Sequence, residues 1–209
     1  MDKKIDNGKA NKEMSLSSLS KNFNELILND DLFADVYLEV DGKLIPAHKN
    51  ILSCRCEYFK AMFNESNSFK ESYSSPKNPI YIKNINYKVF IEFLNYIYTG
   101  HINYEKIDYY NLMDLIKLSD LMNLRELQQL CLVHFSQILS KDNVIEIYKE
   151  AYILNLQLPN IFTNLLNLCY DLLVLNFMEL SKTAQFCSLS QDLMINIIQM
   201  VLPRLKKQK

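Results

Sequence analysis

Residues 34–63 read ADVYLEVDGKLIPAHKNILSCRCEYFKAMF, and this stretch decides the fold. Val36, Leu38 and Val40 alternate with Tyr37, Glu39 and Asp41, the period of a strand with one apolar face. Asp41-Gly42 supplies the positive dihedrals of a tight hairpin turn. Lys43-Leu44-Ile45 returns as a second short strand, which Pro46 is expected to end. The period then changes. Ala47, Ile51 and Leu52, followed by Tyr58, Phe59, Met62 and Phe63, recur at helical spacing and predict two short helices against the hairpin.

Upstream, residues 1–14 are polar and without periodicity, and read as a flexible tail. From Leu16 a helix is expected, with Leu19, Phe23 and Leu26 along one face. Downstream, residues 64–79 form a polar loop rich in Ser, Asn and Pro, whose only bulky aromatics are Phe69 and Tyr73. Ile80-Tyr81-Ile82 follows as a brief strand. Residues 89–99 predict a helix with Phe90, Phe93, Leu94 and Ile97 inward, stopped by Gly100 in a left-handed conformation. Leu112, Leu115 and Ile116 mark another helix, Asn123 breaks it, and Leu124, Leu127 and Cys131 begin the next.

Together these segments resemble the BTB/POZ family. Ala34-Asp35-Val36, Ala47-His48-Lys49 and Tyr58-Phe59-Lys60-Ala61-Met62-Phe63 match its opening motifs. Phe93-Leu94-Asn95-Tyr96-Ile97-Tyr98-Thr99-Gly100 is similar to its F-x-x-hydrophobic-x-Y-hydrophobic-Y-T-G signature. Leu118-Ser119-Asp120 through Leu127 and Cys131 resembles its closing helix pair, with Ser119 in place of the usual Ala. Where many members have Ser-Pro, this chain has Cys56-Glu57. Glu57 suits a helix N-terminus, and is similar to the branch joined to RCC1-type propellers, with the speckle-type branch also close.

The resemblance implies an α+β, mostly helical fold: a BTB/POZ domain over residues 15–136, built as a small three-stranded sheet flanked by helices. Beyond it, Val144, Ile147, Ala151 and Leu154 form one helical face, Ile161, Leu165, Leu168 and Leu172 a second, and Leu193, Ile197 and Val201 a third, with Pro159 suited to a helix's first turn. Asn143-Val144, Tyr148, Ala151 and Asn176-Phe177 resemble the start of a BACK domain. An all-α BACK-like segment is therefore expected over residues 137–203, followed by a basic tail at 204–209 containing Arg204, Lys206, Lys207 and Lys209.

Composition narrows the function. A formal net charge of -1 supplies no global field for nucleic acid or an acidic membrane. No run of about 20 apolar residues is long enough for a bilayer, and the N-terminus lacks the apolar core of a secretory signal. The expectation is a soluble protein of cytoplasm or nucleus, with neither nucleic acid nor membrane as partner. The five cysteines, Cys54, Cys56, Cys131, Cys169 and Cys187, read as buried, reduced thiols. Cys54-Arg55-Cys56 lacks a second ligand pair, so no metal is expected. His48, His101 and His134 have no nucleophile or ligand at motif spacing, and Gly8, Gly42 and Gly100 stand alone. No catalysis and no cofactor are expected, and the resemblance gives His48 a structural hydrogen-bonding role.

What remains is protein binding. The resemblance implies a homodimer through Leu19, Phe23, Leu26 and Asp35. It also implies contact with a cullin-3 type scaffold through Phe69, Lys70, Glu71 and the helices near Tyr109 to Leu121. The chain would then be an adaptor holding an unknown substrate protein near a ubiquitin ligase. The alternative is a dimerisation scaffold or transcriptional co-repressor module, whose charged groove would use Asp35 and Lys49. A third reading is a competitor of full-length adaptors, because no stretch reads as a kelch, MATH, propeller or zinc-finger region.

Overall fold

The computed structural model describes residues 33–64 and 74–206, and before them Ser18, Asn22, Phe23 and Glu25, which are helical. The chain divides into two compact units, one up to Leu127 and the other from Gln128 onward.

In the first unit, β1 (Val36–Val40) turns at Asp41 and Gly42, with φ of 51° and 72°, into β2 (Lys43–Ala47). The two pair antiparallel, Leu38 opposite Ile45, and β3 (Ile80–Tyr81) joins β1 in parallel to give the order β2-β1-β3. Val36, Leu38 and Val40 are fully buried, as their alternation predicts.

Pro46 does not end the strand. It lies within β2 opposite Tyr37, whose N–H donates instead to Ser74 Oγ at 2.8 Å. That pair exchanges no ladder bond, so the missing N–H of Pro46 falls on the open side of an edge strand and costs nothing.

Helices α1 (Lys49–Arg55) and α2 (Glu57–Met62) are separated by one extended residue, Cys56, which is buried. After β3 come α3 (Tyr87–Thr99), a 3-10 turn at Tyr104–Lys106, α4 (Tyr109–Leu121) and α5 (Arg125–Ile138). Gly100 ends α3 at φ 75°, and Asn123 follows α4 at φ 55°, so both stop signals act as read. Phe90, Phe93 and Phe59 pack as a chain of rings with centroids 5.5 and 6.3 Å apart. Ser119 is buried, but its hydroxyl donates to the Ile116 carbonyl at 2.7 Å, so replacing Ala leaves no unpaired polar group.

Two aspartates flanking β1 tie the sheet to the helices. Asp35 Oδ1 accepts the backbone N–H of Lys49 at 2.7 Å, and Asp41 Oδ2 accepts that of Tyr87 at 2.8 Å. Each satisfies an otherwise unpaired donor at the start of a helix, work usually left to the N-cap side chain.

The second unit continues with α6 (Val144–Gln157), α7 (Thr163–Leu180), α8 (Ala184–Cys187) and α9 (Gln191–Lys206). Its core is apolar, and at the core's margin the Tyr148 and Tyr170 hydroxyls both donate to the half-buried Asn196 Oδ1, at 3.0 and 2.6 Å, joining α6, α7 and α9. Burial pushes both phenols above their ordinary range.

The helical faces at 144–154 and 193–201 lie as read, but the α7 face is rotated. Its buried residues are Leu165, Leu166, Cys169, Tyr170, Leu173, Val174 and Leu180, preceded by the buried Phe162, while Ile161, Leu168 and Leu172 are half-buried. With leucine on every side, the Tyr170 hydroxyl, bonded to Asn196 Oδ1 at 2.6 Å, marks the inward phase. Pro159 precedes α7 in a turn closed by Asn160 at φ 77° rather than entering the helix. Arg204 does not begin a solvated tail. It belongs to α9, pairing with Asp171 at 3.1 Å and Asn167 at 3.0 Å while its guanidinium covers the Tyr170 ring.

Candidate protein-interaction surface

The strand-to-helix junction is the most tightly built place among the sequence-predicted sites. Tyr98 OH accepts the His48 backbone N–H at 3.0 Å and lies 2.8 Å from His48 Nδ1, and both residues are buried. One hydroxyl thus holds the end of β2 against the last turn of α3. Burial raises the Tyr98 hydroxyl well above the phenolic range, so it stays protonated as a donor. His48 has the structural bonding role that its motif implies.

Asp35 and Lys49 are brought together, through the Lys49 backbone rather than its ammonium. The Asp35 carboxylate is exposed, and the Lys49 ammonium lies 5.9 Å from the Phe63 ring centroid. Phe23 is helical and half-buried. Leu19, Leu26, Phe69, Lys70 and Glu71 lie outside the described residues. Tyr109 is half-buried at the start of α4, with the Tyr110 ring 4.3 Å from its own.

Sequence reading missed the exposed apolar groups beside these positions. Phe33 is 81% exposed at φ 59°, a conformation bulky side chains rarely adopt. Tyr58, Tyr110 and Leu121 are also exposed, the first on α2 and the others on α4. The signal was weak: Tyr58 and Tyr110 each have an aromatic neighbour, Phe59 and Tyr109, and only packing shows which of the two faces out.

Three of the five cysteines, Cys56, Cys131 and Cys169, are buried as expected, and Cys54 and Cys187 are exposed. Both exposed thiols sit at the polar side of short helices, where their apolar neighbours point away. Burial raises Cys131 and Cys169 to about 12. Among the described residues no three His, Cys, Asp or Glu side chains cluster as metal ligands, and no helix is long and apolar enough to cross a membrane. In the second unit a groove of about 820 Å³ runs along α6 and α9, with Ile153, Leu156, Leu193 and Asn196 in its walls.

A small three-stranded sheet flanked by short helices is the scaffold of a protein–protein interaction module. Residues 23–139 match the BTB/POZ domain, and the chain belongs to that family. It is 27% identical over 180 residues to BTB/POZ domain-containing protein 9 of Homo sapiens, covering 86% of this chain and 28% of that protein. Kelch-like protein 22 of Xenopus tropicalis is 27% identical over 165 residues, 78% of this chain and 23% of that one. The chain thus spans about a quarter of the length of these relatives. Among solved structures, the BTB domain of human gigaxonin aligns with 63% of this chain and 93% of its own at 27% identity and a TM-score of 0.39. The BTB domain of zebrafish PATZ1 aligns over 60% and 94% at 25% identity and a TM-score of 0.46.

Proposed function

We propose that the chain is a homodimeric adaptor that places a substrate protein near a cullin-3 type ubiquitin ligase. The observation carrying this reading is positional. α2 closes at Met62 and β3 opens at Ile80, so they bracket the segment holding Phe69-Lys70-Glu71, as the resemblance to cullin-binding members requires. Phe69 is a large apolar residue among Ser, Asn and Lys, and a partner pocket explains it best. The exposed Tyr110 and Leu121 of α4 add apolar area for the same partner. No bond is made or broken by such an adaptor; it raises the effective concentration of substrate at the ligase. The α-helical unit from Gln128 onward serves, in this reading, as a BACK-like spacer.

Calorimetric titration against the N-terminal region of cullin-3 tests the proposal. Phe69→Ala is expected to cost about 2 kcal/mol, roughly thirtyfold in affinity. Glu71→Ala, a rim charge, should cost about 1 kcal/mol or less. No heat with the wild-type chain overturns the cullin reading and leaves the dimeric scaffold. Wild-type binding by Phe69→Ala overturns the anchor. For the dimer, Leu19→Asp with Phe23→Asp should give monomers by light scattering, since the interface must bury at least about 1,000 Å² in total.

A further inference from the structure

Arg55 and Arg125 share a surface cleft of about 360 Å³ with Tyr96, Asn123, Leu124 and Glu126. Arg55 is held in place. Its Nε donates to the Ile97 carbonyl at 3.2 Å, and its guanidinium lies 5.7 Å from the Tyr96 ring centroid. It also sits in the last turn of α1, where a cation suits the helix dipole. These contacts account for the position of the side chain, and among the described residues the outer guanidinium nitrogens make no ion pair.

Arg125 has no such account. It is the first residue of α5, where the helix end carries partial positive charge and disfavours a cation. It also brings a second guanidinium to a cleft that already holds one. Among the described residues, neither guanidinium makes an ion pair with a carboxylate. The cleft's one acid, Glu126, accepts the Tyr96 hydroxyl at 3.3 Å. Two guanidiniums against one carboxylate leave one positive charge unbalanced.

We propose that this cleft binds a carboxylate presented by an acidic side chain of a partner protein. The planar guanidinium fork matches the two oxygens of a carboxylate, and a single negative charge neutralises the cleft. A phosphate dianion would overshoot and face Glu126. Arg55, already oriented, loses little freedom on binding, and Arg125 completes the clamp. None of the residues that carry the cullin reading takes part, so either proposal can fail without the other.

The test is a titration of the full chain with a hexaglutamate peptide at low salt, following the arginine Nε–H resonances by NMR. The signals of Arg55 and Arg125 should shift and saturate, and a hexaglutamine peptide should move neither. Arg125→Gln should weaken binding about tenfold or more, the scale of one charge-assisted pair. Arg125→Lys, which keeps the charge and the helix propensity but loses the fork, should fall between and covers the case in which the glutamine variant misfolds. A titration that never saturates, an equal response to hexaglutamine, or wild-type affinity in both variants overturns the site. Tighter binding of inorganic phosphate than of the peptide overturns the carboxylate assignment.

Discussion

The two units solve the same problem, holding short helices in register, by different means. In the first, a sheet supplies fixed points, and carboxylates at either end of β1 reach out to the starts of α1 and α3. The described residues of the second form no sheet, and a single amide oxygen, Asn196 Oδ1, is the shared acceptor for two phenols on two other helices. The first spreads its polar ties over separate local bonds; the second concentrates them at one atom. Failure should therefore be graded in one unit and abrupt in the other.

The largest expected effect sets the scale. Phe93→Ala removes the middle ring of the Phe59–Phe93–Phe90 chain at a fully buried site, and should cost about 3–5 kcal/mol in chemical denaturation followed by circular dichroism. Next, Asn196→Leu should cost about 2–4 kcal/mol. It takes the Asn196 acceptor from the Tyr170 hydroxyl and leaves that of Tyr148 only the Leu193 carbonyl at 3.3 Å, an unsatisfied buried group costing about 1–3 kcal/mol. Tyr148→Phe in that background should then be close to neutral, because its hydroxyl has lost the better of its two acceptors; a full additive cost would show that the Asn196 network is not a unit.

In the first unit, Asp35→Ala and Asp41→Ala should each cost about 1 kcal/mol and add when combined. Strong non-additivity there would erase the contrast between the units. The smallest effect is chemical. Cys54 and Cys187 should react with a thiol reagent at pH 8 in the native state, while Cys56, Cys131 and Cys169 wait for unfolding. The buried Cys131 and Cys169 have folded values raised from 9.0 to about 12. The unfolded chain therefore releases protons first, so stability should fall as pH rises through that interval and be full below it.

The same contrast explains what was legible in the sequence. The first unit is punctuated: Asp41-Gly42, Gly100 and Asn123 each have positive φ, and each marks an element's end before any packing is known. Pro46 misled because the edge position that makes it harmless depends on strand order, which no local pattern reveals. In the second unit, α7 offers leucine at positions 165, 166, 168, 172, 173 and 175, so apolar spacing fits several phases. The deciding residues, Tyr170 and Asn196, meet across 26 positions of sequence. As for the surface, family motifs point to Asp35, His48 and Lys49, and the structure shows that these bond first to their own fold. Phe33, Tyr110 and Leu121 carried no signal beyond being apolar, since exposure is a property of the assembled neighbours.

The placement of Pro46 has a further consequence for self-association. The outer edge of β2 is the side on which another chain's strand would dock, and strand addition there needs a continuous row of donors and acceptors. Pro46 interrupts that row, and the exposed Lys43 sets a charge at its start. The β2 edge is thus closed to a growing backbone ladder, and a chain approaching from that side meets side chains instead.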